Sequence, residues 1–147
     1  MQKEIKQSWH FKQSPEEVWE YLTKPELIEQ WLMKNDFQPI VGRKFRFTFV
    51  SKPDGKYQGG VDCEVLEVKP FNKLSYSWNG GTKDGSRTFN SIVVWTLIPK
   101  DNETELQLQH TGFTILEDLF THSDGWKICL KRLEESINTI KQWEHNL

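Results

Sequence analysis

Cysteine is scarce in this chain: Cys63 and Cys129 are the only two in 147 residues. They form no CxxC pair, so neither a disulfide framework nor a zinc cluster is encoded. Both sit inside apolar patterns, as expected of buried thiols in a reducing compartment. Charge of one sign is lacking as well. Nineteen Lys and Arg stand against 21 Asp and Glu, and no basic run breaks the balance, which argues against a nucleic-acid or anionic-membrane partner. No apolar run approaches the roughly 18 residues of a membrane span. The opening residues, 1–11, have no charged-then-apolar layout of a secretory signal. A cytoplasmic chain without membrane insertion is expected. The usual marks of chemistry are missing too. His10, His110, His122 and His145 form no HxxxH or HExxH pair, so no metal site is expected. No GxSxG elbow presents a serine. Asp62 and Glu64 flank Cys63 on the polar face of an alternating run and read as solvated side chains. Gly80, Gly81 and Gly85 lie between two strand-like runs, with no following helix to complete a phosphate cradle. No cofactor and no catalysis are expected.

What the chain has in quantity is aromatic residues, with seven Trp and nine Phe. They bring much apolar area for this length. Either they fill the interior or they line a hole in it.

The rest of the chain is organised around one stretch, Thr121 to Glu144. Trp126, Leu130, Leu133, Ile137 and Ile140 recur at helical spacing and share one face. Lys127, Lys131, Glu134, Glu135, Asn138 and Lys141 occupy the opposite side. Thr121 followed by Asp124 resembles a capping box and places the helix start there. Such a helix runs about 33 Å and needs a surface to lie on.

Upstream, residues 3–11 alternate, with Ile5, Gln7, Trp9 and Phe11 on one side of a first strand. Ser14-Pro15-Glu16-Glu17 starts a short helix whose inner face is Val18, Trp19 and Leu22. Thr23-Lys24-Pro25-Glu26 starts a second, leading to Leu27, Ile28 and Trp31. From Phe37 the period falls to two. Phe45, Phe47 and Phe49 alternate up to a turn at Pro53–Lys56, and residues 57–68 form a strand that changes phase near Val65-Leu66, which signals a bulge. Pro70–Lys73 turns into Leu74, Tyr76 and Trp78; residues 79–87 form a Gly-rich loop; residues 88–98 and 105–111 are strands. One α+β domain over residues 1–147 follows, with six to seven antiparallel strands, two short helices after the first strand and one long C-terminal helix.

The motifs Ser14–Trp19, Leu22–Leu27, Trp31, Gly42–Phe45, Pro70 with Lys73–Trp78, Thr104–Leu106, His110–Phe113 and Gly125-Trp126 together resemble the SRPBCC (START/Bet v 1-like) superfamily. Within it, they are similar to the branch related to the C-terminal domain of the activator of Hsp90 ATPase. The resemblance implies a helix-grip fold, in which a curved sheet wraps the long helix around an apolar cavity. Members mostly bind hydrophobic small molecules, a minority are cyclases or other enzymes, and no universal catalytic motif is shared. The eukaryotic co-chaperone carries a further N-terminal domain that engages Hsp90. This chain starts at the helix-grip domain, so chaperone work is not the leading expectation.

A coverage argument points the same way. Six or seven strands spaced by about 4.8 Å make a sheet far wider than one helix of about 10 Å. The remaining interior is filled by large side chains or left as a pocket. Its expected lining is Trp31, Phe45, Phe47, Val61, Cys63, Tyr76, Trp78, Val94, Leu106, Leu108, His110, Trp126, Cys129, Leu130 and Leu133. His110 has two readings: a hydrogen-bonded core histidine, or a polar contact for a ligand. Gly125 likewise marks either a loose helix start or a gap at the cavity mouth, opposite Trp31. The leading expectation is a monomer or weak dimer that sequesters a lipid-like or polyaromatic molecule. The alternatives are an interaction module for an Hsp90-type ATPase, and a cyclase or hydratase using His110 or a Tyr as acid/base.

Overall fold

A computed structural model describes residues 3–50, 58–81 and 88–145. In chain order its elements are β1 (Glu4–Phe11), α1 (Pro15–Thr23), α2 (Pro25–Trp31), β2 (Lys34–Asn35), β3 (Lys44–Val50), β4 (Gln58–Lys69), β5 (Lys73–Gly81), β6 (Thr88–Lys100), β7 (Glu103–Thr111) and α3 (Leu116–His145). The strands form one seven-stranded antiparallel sheet in the order β1-β7-β6-β5-β4-β3-β2. The architecture is the helix-grip α+β fold, with α3 across the sheet and the two short helices after β1.

Local chemistry sets the boundaries. Ser14 Oγ accepts the Glu17 backbone N–H at 3.3 Å, and Pro15 occupies the first helical position of α1. The second start expected at Thr23–Glu26 is present, with Pro25 opening α2, while Thr23 itself belongs to α1. It closes α1, its hydroxyl donating to the Trp19 carbonyl at 2.8 Å, and Lys24 takes the cap position without a side-chain bond. The β6–β7 hairpin turns on Asp101 and Asn102, both at positive φ (51° and 68°) between the paired Lys100 and Glu103. That geometry is a type I′ turn, whose twist matches the strands it joins. The bulge expected in β4 is present as a register shift between Val65 and Glu67. The turn expected at Pro53–Lys56 lies outside the described residues, as does most of the Gly-rich loop; Asn79, Gly80 and Gly81 complete β5 instead. β2 has only two residues and leaves no periodic trace in the sequence.

The helix α3 begins at Leu116, five residues before the expected start. Thr121 and Asp124 are therefore interior to it and cap nothing. The first turn is carried by Glu117 and Asp118, whose charge suits the positive end of the helix dipole. Leu116 and Phe120 are exposed there, so the apolar stripe does not run the length of the helix. Periodicity alone could not find that end.

Trp126, Leu130, Leu133 and Ile137 of α3 are buried against the sheet, as expected. Along one flank the helix is also tied by polar side chains to β1 and to the turn that follows it. Gln7 Nε2 donates to the Ser123 carbonyl at 3.0 Å, Trp9 Nε1 to Glu134 Oε2 at 2.8 Å, and Gln13 Nε2 to Asn138 Oδ1 at 2.8 Å. Glu134 and Asn138 thus do not belong to a purely solvated face. They sit where the edge of the stripe meets the first strand.

Candidate functional site

The inward-facing residues line up in cross-strand rows. Ile5, His110, Val93 and Tyr76 follow one another across β1, β7, β6 and β5, and Val65 of β4 continues the row. Phe45 and Phe47 of β3 face Cys63 and Val61 of β4. Of the residues expected to line a cavity, Trp31, Phe45, Phe47, Val61, Cys63, Tyr76, Trp78, Leu106, Leu108, His110, Trp126, Leu130 and Leu133 are all buried, and Cys129 is half-buried. Val94 is misassigned. Val93, Trp95 and Leu97 point inward, so Val94 and Thr96 fall on the outer face. The run Val93-Val94-Trp95 is apolar on both faces, and periodicity offers no way to choose its phase.

Among the described residues, a continuous series of ring contacts runs through the interior. From Phe37 the ring centroids step to Phe45 (4.9 Å), Phe47 (5.3 Å), Trp78 (5.3 Å), Trp126 (5.2 Å), Trp95 (5.4 Å) and Trp31 (5.8 Å). The contacts are edge-on or tilted, the favoured arrangement for aromatic quadrupoles. Trp95, Phe37 and Val93 were missed as lining residues. The alternation of Trp95 with Leu97 was a usable signal for the first; Phe37 lies before any strand and had none.

One end of this wall holds two histidines that are far apart in sequence. The rings of His110 and His122 stand 5.4 Å apart, with Phe113 at 4.5 Å and 4.7 Å from them. Their tautomers follow from their partners, because an indole N–H only donates. Trp126 Nε1 donates to His110 Nδ1 at 2.9 Å, so the His110 proton is on Nε2, which donates to Ser91 Oγ at 2.8 Å. Ser91 in turn donates to the Trp78 carbonyl at 2.7 Å. Trp78 Nε1 donates to His122 Nε2 at 3.2 Å, so His122 carries its proton on Nδ1 and donates to the Asp118 carbonyl at 2.8 Å. Burial, aided by the neighbouring His122, pushes the His110 imidazole down to about 3. Burial lowers His122 too, against the pull of the Asp118 carbonyl. Both rings are neutral at pH 7. Each has spent its lone pair on an indole, so neither has a free nitrogen for a metal or a substrate. His110 is the hydrogen-bonded core histidine of the two readings.

Gly112 makes this corner. Its φ is +105°, and a Cβ there would lie 2.8 Å from the Asn90 carbonyl oxygen. Only glycine lets the chain turn so close to β6 and deliver Phe113 onto the two imidazoles.

The opposite flank of α3 is different. Gly125 is half-buried within the helix, and a Cβ added to it would meet nothing within 4 Å. One turn further on, burial raises the Cys129 thiol, with Arg132 opposing, so the sulfur stays protonated and is a poor nucleophile. Cys63 is raised in the same way, chiefly by burial. Near the two thiols lies Tyr76, 3% exposed, whose hydroxyl accepts the Trp95 indole N–H at 2.9 Å. Two clefts open elsewhere, both on the face of the sheet away from α3. One of about 620 Å³ is lined by Lys3, Glu4, Gln109 and the 111–114 turn, and one of about 310 Å³ runs over β1, β6 and β7. Neither contains a residue group that chemistry would single out.

Among the described residues, no helix is long and apolar enough to cross a membrane. No curated protein matches the chain. Among solved structures, protein MLL2253 from Mesorhizobium loti is 36% identical, with a TM-score of 0.82 over 92% of this chain and 97% of that one. CalU16 from Micromonospora echinospora is 24% identical, with a TM-score of 0.72 over 91% of this chain and 75% of that one. The Aha1 dimer from Colwellia psychrerythraea is 20% identical, with a TM-score of 0.73 over 91% and 95%. The last two likenesses speak to fold alone. Residues 2–138 match the family described as activator of Hsp90 ATPase homolog 1-like protein. With that match over nearly the whole length, and a helix-grip fold built as the family's resemblance implied, the chain belongs to the activator of Hsp90 ATPase homolog 1-like family.

Proposed function

We propose that this protein, as a single domain, binds an apolar small molecule without transforming it, and that the molecule enters beside α3. The observation that carries the reading is the asymmetry of α3. One flank is fastened to β1 by Gln7 and Trp9, and to the turn after it by Gln13. The other presents Gly125, with open space where a side chain would be, and half-buried Cys129, which lies near enough to the buried Tyr76 for its charge to bear on it. Because rings pack against one another across the centre of the sheet, the ligand lies against the Gly125–Cys129 flank. An enzyme using His110 as acid or base is disfavoured, since both ring nitrogens are engaged within the core.

The test is a thermal-melting titration with neutral polyaromatics and fatty acids, followed by Trp fluorescence. A ligand of micromolar strength raises the melting temperature with its concentration. In Gly125→Leu the added side chain fills the entrance and removes that rise. An unmoved melting temperature across the whole panel would overturn the reading.

A further inference from the structure

The solvent side of α3 carries an apolar row that the folding of one chain leaves uncovered. Leu116, Phe120 and Ile128 are 49%, 62% and 55% exposed. With exposed Asp124 between the last two, they recur every four residues, so they form one row along the helix, turned away from the sheet-facing Trp126, Leu130 and Leu133. The row runs about 18 Å. Charge is sorted along the same helix. Glu117, Asp118 and Asp124 come first, and Lys127, Lys131 and Arg132 follow. Apart from half-buried Asp118, these side chains are exposed.

We infer that this face docks a second copy of the chain, α3 against α3, antiparallel about a two-fold axis at Asp124. A two-fold contact needs a patch that complements itself, and the sorted charges meet that need in this direction alone. Antiparallel helices set the acids of each copy against the bases of the other; parallel helices would set like on like. The axis places Phe120 of each copy at the level of Ile128 of the other, four residues to either side, and Glu117 at the level of Lys131, seven to either side. Opposed helix dipoles favour the same direction. A lipid surface fits less well, because an anionic membrane that draws Lys127, Lys131 and Arg132 repels the acids beside them. The one like-charge meeting is Asp124 with its own copy on the axis. A single helix pair is smaller than a standard interface, so the dimer is weak and forms as concentration rises. It uses the solvent side of α3 and stands whether or not a ligand occupies the Gly125–Cys129 flank.

Sedimentation velocity on the full chain, from micromolar to millimolar concentration, tests this. The sedimentation coefficient climbs from the monomer value toward the dimer value, and added salt weakens the climb. Phe120→Asp lowers the association constant about tenfold or more, the effect of burying an unpaired charge at the centre of a contact. Lys131→Glu weakens association and Glu117→Lys added to it restores it, which loss of folding alone would not do. Asp124→Asn tightens the dimer, a signature of the axis position. A monomer across the whole concentration range overturns the proposal without touching the small-molecule reading. So does a dimer that Phe120→Asp and Asp124→Asn leave unchanged, since its contact then lies elsewhere.

Discussion

At the scale of single residues, the most constrained chemistry is the pair of imidazoles under α3. His110 is faced by Trp126, Ser91, Trp78, Phe113 and His122, and His122 by Trp78, Phe89, Phe113 and the Asp118 carbonyl. None of these groups welcomes a positive charge. Burial first, and then the neighbouring His122, make the folded state resist protonation of His110 down to about pH 3. An unfolded histidine takes its proton near pH 6.5. Between those values the unfolded chain binds more protons than the folded one, so stability falls as the pH is lowered from about 6.5 toward 3. Urea unfolding at pH 7, 6, 5 and 4 should show this decline, and His110→Gln should make it shallower even if it is less stable throughout. A wild-type midpoint unchanged down to pH 4 would contradict the uncharged state of buried His110. Sequence alternation was enough to turn His110 inward. It could not supply its partners, because Ser91 and Trp126 arrive from two other elements, 19 and 16 residues away. The likewise distant His122 joins only once α3 is laid down.

At the scale of elements, boundaries set by caps and prolines were legible and those set by packing were not. Ser14, Pro15 and Pro25 mark α1 and α2 correctly, because each acts on the backbone next to it. Ser14→Ala should cost about 1 kcal/mol in chemical denaturation, the usual worth of such a cap. The start of α3 was missed because exposed Leu116 and Phe120 carry no amphipathic signal. The phase of β6 was missed at Val94 because its neighbours on both faces are apolar. Gly125 sits well inside α3 and has open space around its missing side chain. Gly125→Ala should then stabilise the protein by roughly 0.5–1 kcal/mol, since alanine is the better helix former and nothing opposes it. A drop in melting temperature would show that the position is more crowded than its geometry indicates.

At the scale of the whole molecule, the class of fold was readable from the order of periodicities, and the helix-grip arrangement followed from the ordered motifs. How the interior is occupied was not, since Trp and Phe serve equally well to line a hole or to plug it. The rings of Phe45, Phe47, Trp78, Trp126 and Trp95 pack against one another across it. Leu133, with no exposed surface, joins α3 to that core, and Leu133→Ala should cost about 2–5 kcal/mol, a large part of a typical domain's stability. Ile128→Ala, on the exposed side of the same helix, should change the urea midpoint hardly at all. Finally, β1 is the first strand in the chain, yet it pairs with β7 alone, Glu4 opposite Thr111. On a ribosome adding about 5–20 residues per second, the first strand waits several seconds for a neighbour that has not yet been made. During that wait Ile5, Trp9 and Phe11 stand bare, so nascent chains of this protein should be clients of whatever factor shields greasy N-terminal segments as they leave the exit tunnel.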